Sequence, residues 1–476
     1  MNTQHRRIVA TALSWFIVSS AMALPAFGGD VLTEVLREKG VITKEDWVRI
    51  EADREKQEAS VGEKKKSSNV PAIPFWSKKG FGFQTEDGKW STSMQWRFQG
   101  RYSYPDRSDE YTTIQFGDQS ESTFELRRVR MKIGGHGYQP WIKYYFEVDL
   151  QQTPDSGATA GASRLLDWRI DLAKYQGFTI RVGQWKINYN RERVDSSGKQ
   201  TFVERSIVTN VFTIDRQDGI MVMGRLFPGQ LYDLNYYAGV FTGQGRAEAN
   251  DDGNMMYMAR LQWNFFGREL KFSQSDVEYH EQPAASLAFA AYTDIGKCTR
   301  FSSSACGSLG SEGYTTSLGM TYTSDSTAAI GQFRLDGMVE EFAMKWKGLA
   351  IQHEFHWKQV KDRGAGVGVN GYSGTTPVAP SKTILMGSYS QASYFPHYLI
   401  PAIPRPLEVG FRYAFVDPNV GASGSDTLRE YTLVFNWFFS GHRNKVTVDT
   451  SHLTRDVTGS ADLTEQRVRL QWDVSF

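Results

Sequence analysis

The chain has 476 residues, a formal net charge of +1 and a mean hydropathy of −0.45. A charge balance this close to zero provides no footprint for nucleic acid or an acidic surface, so any selectivity must come from where charges sit. Beyond a leader, no run approaches the roughly 20 apolar residues a membrane-spanning helix needs, which excludes a helical inner-membrane protein. The chain is nevertheless rich in Phe (29), Tyr (22), Trp (13) and Gly (44), a composition that suits strands showing one face to lipid.

In chain order, Arg6 and Arg7 precede an apolar run from Ile8 to Val18 and the small-residue site Ala21-Met22-Ala23. This predicts a secretory signal over residues 1–23, with an apolar core too short for an anchor helix. Residues 24–79 read as a helical periplasmic extension and linker. Val31, Leu32, Val35 and Leu36 make a short stripe ended near Gly40, and Thr43-Lys44-Glu45-Asp46 carries a helix-start signal. Two short helices are expected within 31–59. Self-association, cell-wall contact and passive spacing are all open roles for them.

From residue 80 onward the apolar period becomes two. Thr92, Met94, Trp96 and Phe98 alternate with Ser93, Gln95, Arg97 and Gln99; Ile142, Tyr144, Phe146, Val148 and Leu150 alternate with Lys143, Tyr145, Glu147 and Asp149. Strands are predicted near 89–103, 122–134, 139–151, 163–175, 177–187, 217–227, 230–242, 255–266, 284–293, 338–347, 349–361, 382–394, 405–416, 427–439, 443–455 and 464–476. Their number is even, sixteen, and returns both chain ends to one side. The expected fold is all-β: a transmembrane antiparallel β-barrel over residues 80–476, with lipid outside and a wet lumen. Tight turns are predicted at Pro228-Gly229-Gln230 and Lys347-Gly348. Long connections at 188–216, 294–337 and 362–381 fall on the opposite, outer side, and the alternating stretch 314–323 is assigned to an outer loop.

The last strand shows the alternation most cleanly. Val468, Leu470, Trp472, Val474 and Phe476 share one face, opposite Arg467, Arg469, Gln471, Asp473 and Ser475. Such an aromatic end resembles the assembly signal of bacterial outer-membrane barrels, so lipid and the barrel-insertion machinery are expected partners. Cys298 and Cys306 stand eight positions apart in a Ser/Gly-rich segment and predict a loop disulfide between the ninth and tenth strands. The eight His are scattered, and no nucleophile elbow, Walker loop or zinc spacing occurs, so neither enzyme chemistry nor a cofactor or metal is expected.

Phe124-Glu125-Leu126-Arg127-Arg128-Val129-Arg130 resembles a characteristic strand of the phosphate-selective porin O and P family. Further segments resemble that family in the same order: Arg181 to Lys186, Glu204-Arg205-Ser206, Tyr237 to Gly243, and Lys347 to Glu354. Lys39-Gly40-Val41-Ile42-Thr43 resembles its helical start. The resemblance implies a homotrimeric outer-membrane channel for small anions such as phosphate, with basic residues along a narrow pore. Alternatives are a general non-selective porin and a barrel serving as sleeve or anchor for a partner protein.

Strand parity places Arg97, Arg128, Arg130, Lys132, Lys143, Arg169 and Arg181 towards the lumen. Arg127 can join Arg128 only through a bulge. Glu147, Asp149 and Asp171 face the same lumen. The connection 188–216 is too long for a plain turn and is expected to fold into the pore, bringing Arg191, Arg193 and Arg205 opposite the 122–132 strand as a basic path. The N-terminal extension and the C-terminus are expected in the periplasm.

Overall fold

The computed structural model describes residues 72–77, 80–105, 122–151, 164–246, 248–250, 253–301, 333–362, 382–421, 427–457 and 460–476, with isolated positions elsewhere. The sheet begins with a hairpin of β1 (Ala72–Ser77), inside the stretch that the sequence reads as linker, and β2 (Gly80–Thr85), just after it. Sixteen strands follow. They are β3 (Ser91–Tyr104), β4 (Thr123–Gly137), β5 (Gln139–Asp149), β6 (Arg164–Tyr175), β7 (Phe178–Lys186), β8 (Arg216–Leu226), β9 (Leu234–Phe241) and β10 (Met256–Phe265). The second half comprises β11 (Ala284–Gly296), β12 (Phe333–Trp346), β13 (Leu349–Asp362), β14 (Lys382–Tyr394), β15 (Leu407–Asp417), β16 (Leu428–Phe438), β17 (Asn444–Arg455) and β18 (Leu463–Ser475).

Each strand pairs antiparallel with the next, and β18 pairs with β3 from Val468↔Tyr104 to Ser475↔Arg97. That last pairing closes a sixteen-stranded barrel and leaves no open edge for lipid to meet. Phe476 completes the seam: its N–H donates to the Trp96 carbonyl at 3.0 Å, and its carbonyl accepts from Trp96 N–H at 3.2 Å. Beyond the seam β2 takes over the same edge of β3, from Phe81↔Met94 to Gln84↔Ser91. The hairpin therefore extends the wall past the end of the chain.

The alternation is inverted relative to a soluble protein. On β18, Arg467, Arg469, Gln471 and Asp473 are buried inside, whereas Val468, Leu470, Trp472 and Phe476 are exposed on the outer wall. Lys347 and Gly348 both take positive φ and close β12 onto β13 in a two-residue turn. Two connections at this short-turn end are long, residues 266–283 between β10 and β11 and residues 395–406 between β14 and β15.

In the N-terminal segment, Thr43 Oγ1 accepts from Asp46 N–H at 3.1 Å, and the Asp46 carboxylate accepts from Thr43 N–H at 3.2 Å. This is the reciprocal cap that the start signal predicts. The leader, Gly40, most of the expected helices and the 314–323 stretch lie outside the described residues.

Candidate functional site

The connection between β7 and β8 folds into the lumen and carries two short helices, α1 (Arg191–Val194) and α2 (Ile207–Phe212). Helix N-termini leave backbone N–H groups without partners, and here carboxylates of the barrel wall take them. Arg191 N–H donates to Glu341 at 2.9 Å, Glu192 N–H to Glu354 at 2.6 Å, and Ile207 N–H to Glu430 at 3.0 Å. Three inward glutamates of β12, β13 and β16 thus anchor the loop. The apolar side of α2 is buried among Trp185, Tyr292, Tyr389 and Leu385. Gly387 makes room for it, since a Cβ there would meet the Phe212 ring at 2.5 Å.

A second loop rises from the other end. Residues 266–283 meet the first loop inside the barrel: Gln274 N–H donates to the Lys199 carbonyl at 3.1 Å, and Arg191 donates to the Lys271 carbonyl at 2.8 Å. Lys345 of β12 holds Ser273 and Ser275, and Glu408 of β15 accepts from the Ser275 hydroxyl at 3.0 Å. A third strap comes from the segment after β11. Asp215 N–H donates to the Phe301 carbonyl at 3.0 Å, and Lys358 donates to the carbonyls of Val211 and Thr299. Cys298 on this strap is fully buried and disulfide-bonded; its expected partner, Cys306, lies outside the described residues. Sequence reasoning missed the 266–283 loop. Its length, the greatest of the connections at that end, was the available signal.

The three loops fill the lumen beside β12–β17, and open space remains along β4–β6. Cross-strand pairing arranges that wall in rungs: Arg130↔Asp149, then Lys132↔Glu147↔Asp167, then Gly134↔Tyr145↔Arg169, then His136↔Lys143↔Asp171. At roughly 3.3 Å rise per residue the rungs are about 6.6 Å apart. A cavity of about 740 Å³ at the short-turn end is lined by Lys132, Lys143, Arg169, Asp171 and the loop's Lys199, with Phe75 of β1 on its side.

The predicted arginines are engaged. Arg97 pairs with Asp473 at 2.7 Å and donates to Ser197 of the inward loop at 3.0 Å. Arg130 bridges Glu147 and Asp149, each at 3.0 Å. Arg181 grips Asp171 through two donors at 2.6 and 2.8 Å. Arg169 lies over the Tyr145 ring, 4.4 Å from its centroid, with Asp167 and Asp171 at 3.6 and 3.9 Å. On the loop, Arg193 pairs with Asp215, Arg205 donates to the carbonyls of Glu192 and Asp195, and Arg191 to those of Leu270 and Lys271. The lysines differ: among the described residues the ammonium groups of Lys132, Lys143 and Lys199 form no ion pair or hydrogen bond.

A bulge also forms. β3 and β4 shift register between Gln99↔Arg128 and Gly100↔Leu126, which turns both Arg127 and Arg128 inward. With Arg101 they converge on Glu204 of the loop, at 3.3, 3.2 and 2.6 Å. Burial alone would raise the Glu204 carboxyl, but Arg128, Arg101 and Arg127 hold it well below the usual carboxylate range. Asp195 is the opposite case. Neither of its carboxylate oxygens has a hydrogen-bond partner among the described residues, and burial pushes it up to about 7 against the pull of Arg191 and Lys345.

Because its native pKa lies above the unfolded value, Asp195 destabilises the fold progressively from the ordinary carboxylate range up to about pH 7, with no further loss above. Replacing Asp195 with Asn is therefore expected to raise the unfolding midpoint in detergent at pH 8 and leave it unchanged near pH 4. At about 1.4 kcal/mol per pKa unit, the full gain is of order a few kcal/mol. An equal effect at both pH values would show that ionisation of Asp195 is not its cause.

Comparison with known proteins agrees with this architecture. Residues 97–476 match the profile of the phosphate-selective porin O and P family. No curated protein matches the chain in sequence. Among solved structures, the outer membrane channel DcaP of Acinetobacter baumannii has a TM-score of 0.51 at 13% identity, covering 83% of this chain and 99% of that one. OmpT of Vibrio cholerae has a TM-score of 0.49 at 7% identity, over 82% of this chain and 98% of its own. An anion-selective porin from Comamonas acidovorans has 0.46 at 12%, over 81% and 100%. The profile covers the sixteen barrel strands except residues 91–96 of β3, and the chain belongs to the phosphate-selective porin O and P family as an outer-membrane channel for small solutes.

Proposed function

We propose that the channel passes small anions, phosphate among them, along the β4–β6 wall. The observation that carries this reading is the contrast between paired arginines and unpaired lysines. Arginine charge is largely neutralised by Glu147, Asp149, Asp171, Asp473 and Glu204, whereas Lys132, Lys143 and Lys199 line one cavity with ammonium groups that have no partner among the described residues. Lys132 and Lys143 stand two rungs apart, about 13 Å at roughly 3.3 Å rise per residue, so an anion meets separate weak contacts along the wall. Mobile point charges bind it weakly enough to let it go, as conduction requires. The arginines predicted as the path then serve to position the wall and the loop. The same reading places both chain ends in the periplasm, makes the protein a homotrimer as the family resemblance implies, and removes residues 1–23 on export.

Reversal potential in a salt gradient across a planar bilayer tests it. The wild-type channel is expected to prefer chloride over potassium. Lys132→Glu with Lys143→Glu is expected to fold normally, because lumen charges tune selectivity without meeting lipid, and to move the reversal potential towards potassium. The carboxylates of Glu147, Asp149 and Asp171 on the same wall favour a general porin instead. An unchanged potential in the double variant would establish that second reading.

A further inference from the structure

The outer wall carries a site that conduction does not use. On β12, β13 and β14, Arg334, Lys361 and Lys382 stand opposite one another in one cross-strand row, all exposed on the outer face at the long-loop end. At about 4.8 Å between strands, the row spans about 10 Å. Arg334 pairs with Asp336 at 3.2 Å yet its side chain remains 53% exposed. Lys361 and Lys382 have no carboxylate partner among the described residues.

Below the row and to its β9–β11 side, a groove of about 840 Å³ opens on the same wall, with Arg334 the one cation of the row in its lining and its partner Asp336 beside it. It exists because Ala238, Ala259 and Ala291 face outward side by side on β9, β10 and β11, where neighbouring levels carry Tyr257, Leu261 and Phe289. Met338 and Trp357 border it. Trp357 shares the cross-strand row of Ala259, Ala291 and Met338, and Tyr257 lies just above it. This puts the groove's upper part at the belt where hydrocarbon gives way to headgroups, and the cation row, four residues further along β12, on the headgroup side. The acidic Glu340 lines only the adjoining, lower groove.

We propose that this surface binds a phosphorylated, multiply acylated lipid of the outer leaflet, its phosphates on the Arg334–Lys361–Lys382 row and an acyl chain in the alanine-floored groove. The inference rests on the orientation proposed above, with the long loops outward. Charge complementarity selects the occupant. A guanidinium fork and two ammonium groups suit phosphate oxygens, and the apolar groove suits a chain that another protein's polar surface would not replace. Bulk lipid meets the rest of the belt as solvent; here the charge row and the recess fix headgroup and chain together.

The test is native mass spectrometry of the full chain in neutral detergent titrated with lipid A. Wild type is expected to retain one lipid A per chain. Arg334→Gln with Lys361→Gln and Lys382→Gln is expected to weaken retention about tenfold or more, as loss of several charge-assisted contacts implies. Should that triple variant fail to fold, Lys361→Gln with Lys382→Gln leaves the Arg334–Asp336 pair in place and is expected to weaken retention less. Ala259→Trp with Ala291→Trp fills the groove while keeping the cations, and is also expected to lose the lipid. Undiminished retention in either the charge or the groove variant overturns the proposal, as does phosphatidylglycerol binding as tightly as lipid A. None of these residues faces the lumen, so reversal potentials stay at the wild-type value and the conduction reading stands or falls separately.

Discussion

Replacing Glu204 with Gln is expected to loosen the inward loop and expose three cations at once. Arg101, Arg127 and Arg128 lie within 3.3 Å of this one buried carboxylate, on a loop whose other anchors are at different strands. Removing one partner of a buried ionic cluster costs about 3–5 kcal/mol, because the guanidinium groups left behind have lost water without keeping a counter-charge. The barrel seam itself is untouched. The loss should therefore appear as loop motion: noisier single-channel currents, a lower unfolding midpoint and a reversal potential shifted further towards anions. Quiet wild-type currents with an unchanged midpoint would mean the tether is redundant. Because Glu204 is held below the usual carboxylate range, its stabilisation is fully present above that range. It is lost only as pH falls through the lowered native pKa, so wild type should acquire the variant's noise only in strong acid.

Excising residues 271–276 and closing the gap with a short glycine-serine turn is expected to widen the channel. This segment supplies the carbonyl that accepts from Arg191, the amide that donates to Lys199 and the hydroxyl bound by Glu408. It also places the Phe272 ring 5.0 Å from the Arg191 guanidinium. Without it the inward loop loses these contacts and keeps those to the barrel wall, such as Arg97 to Ser197 and Asn436 to the Thr201 carbonyl, and water enters from the short-turn end. Single-channel conductance should rise well above wild type while the barrel still resists detergent unfolding, since all sixteen strand pairings lie outside the excised segment. Unchanged conductance would show that the 266–283 loop fills dead space beside the path.

The barrel was legible in the sequence because its physics is local. Lipid outside and water inside impose a period of two on every strand, and that period, with the even strand count, determined the number of strands and the side each residue faces. All sixteen predicted strands overlap observed ones, and the 188–216 connection does enter the lumen. The β1–β2 hairpin was not legible, because Ala72–Ser77 is too short to show a period and pairs only through β2.

What parity could not give is the partner of each inward charge. Arg128 and Lys132 lie on the same strand and face, yet one is bound by Glu204, far along the chain, while the other has no such partner among the described residues. The bulge that turns Arg127 inward likewise depends on the register of β3 against β4. Sequence by itself determined the barrel, its faces and the loop long enough to enter it. Only the tertiary structure decided which cations are neutralised and which remain free, because pairing depends on where three loops from distant parts of the chain meet inside a closed wall.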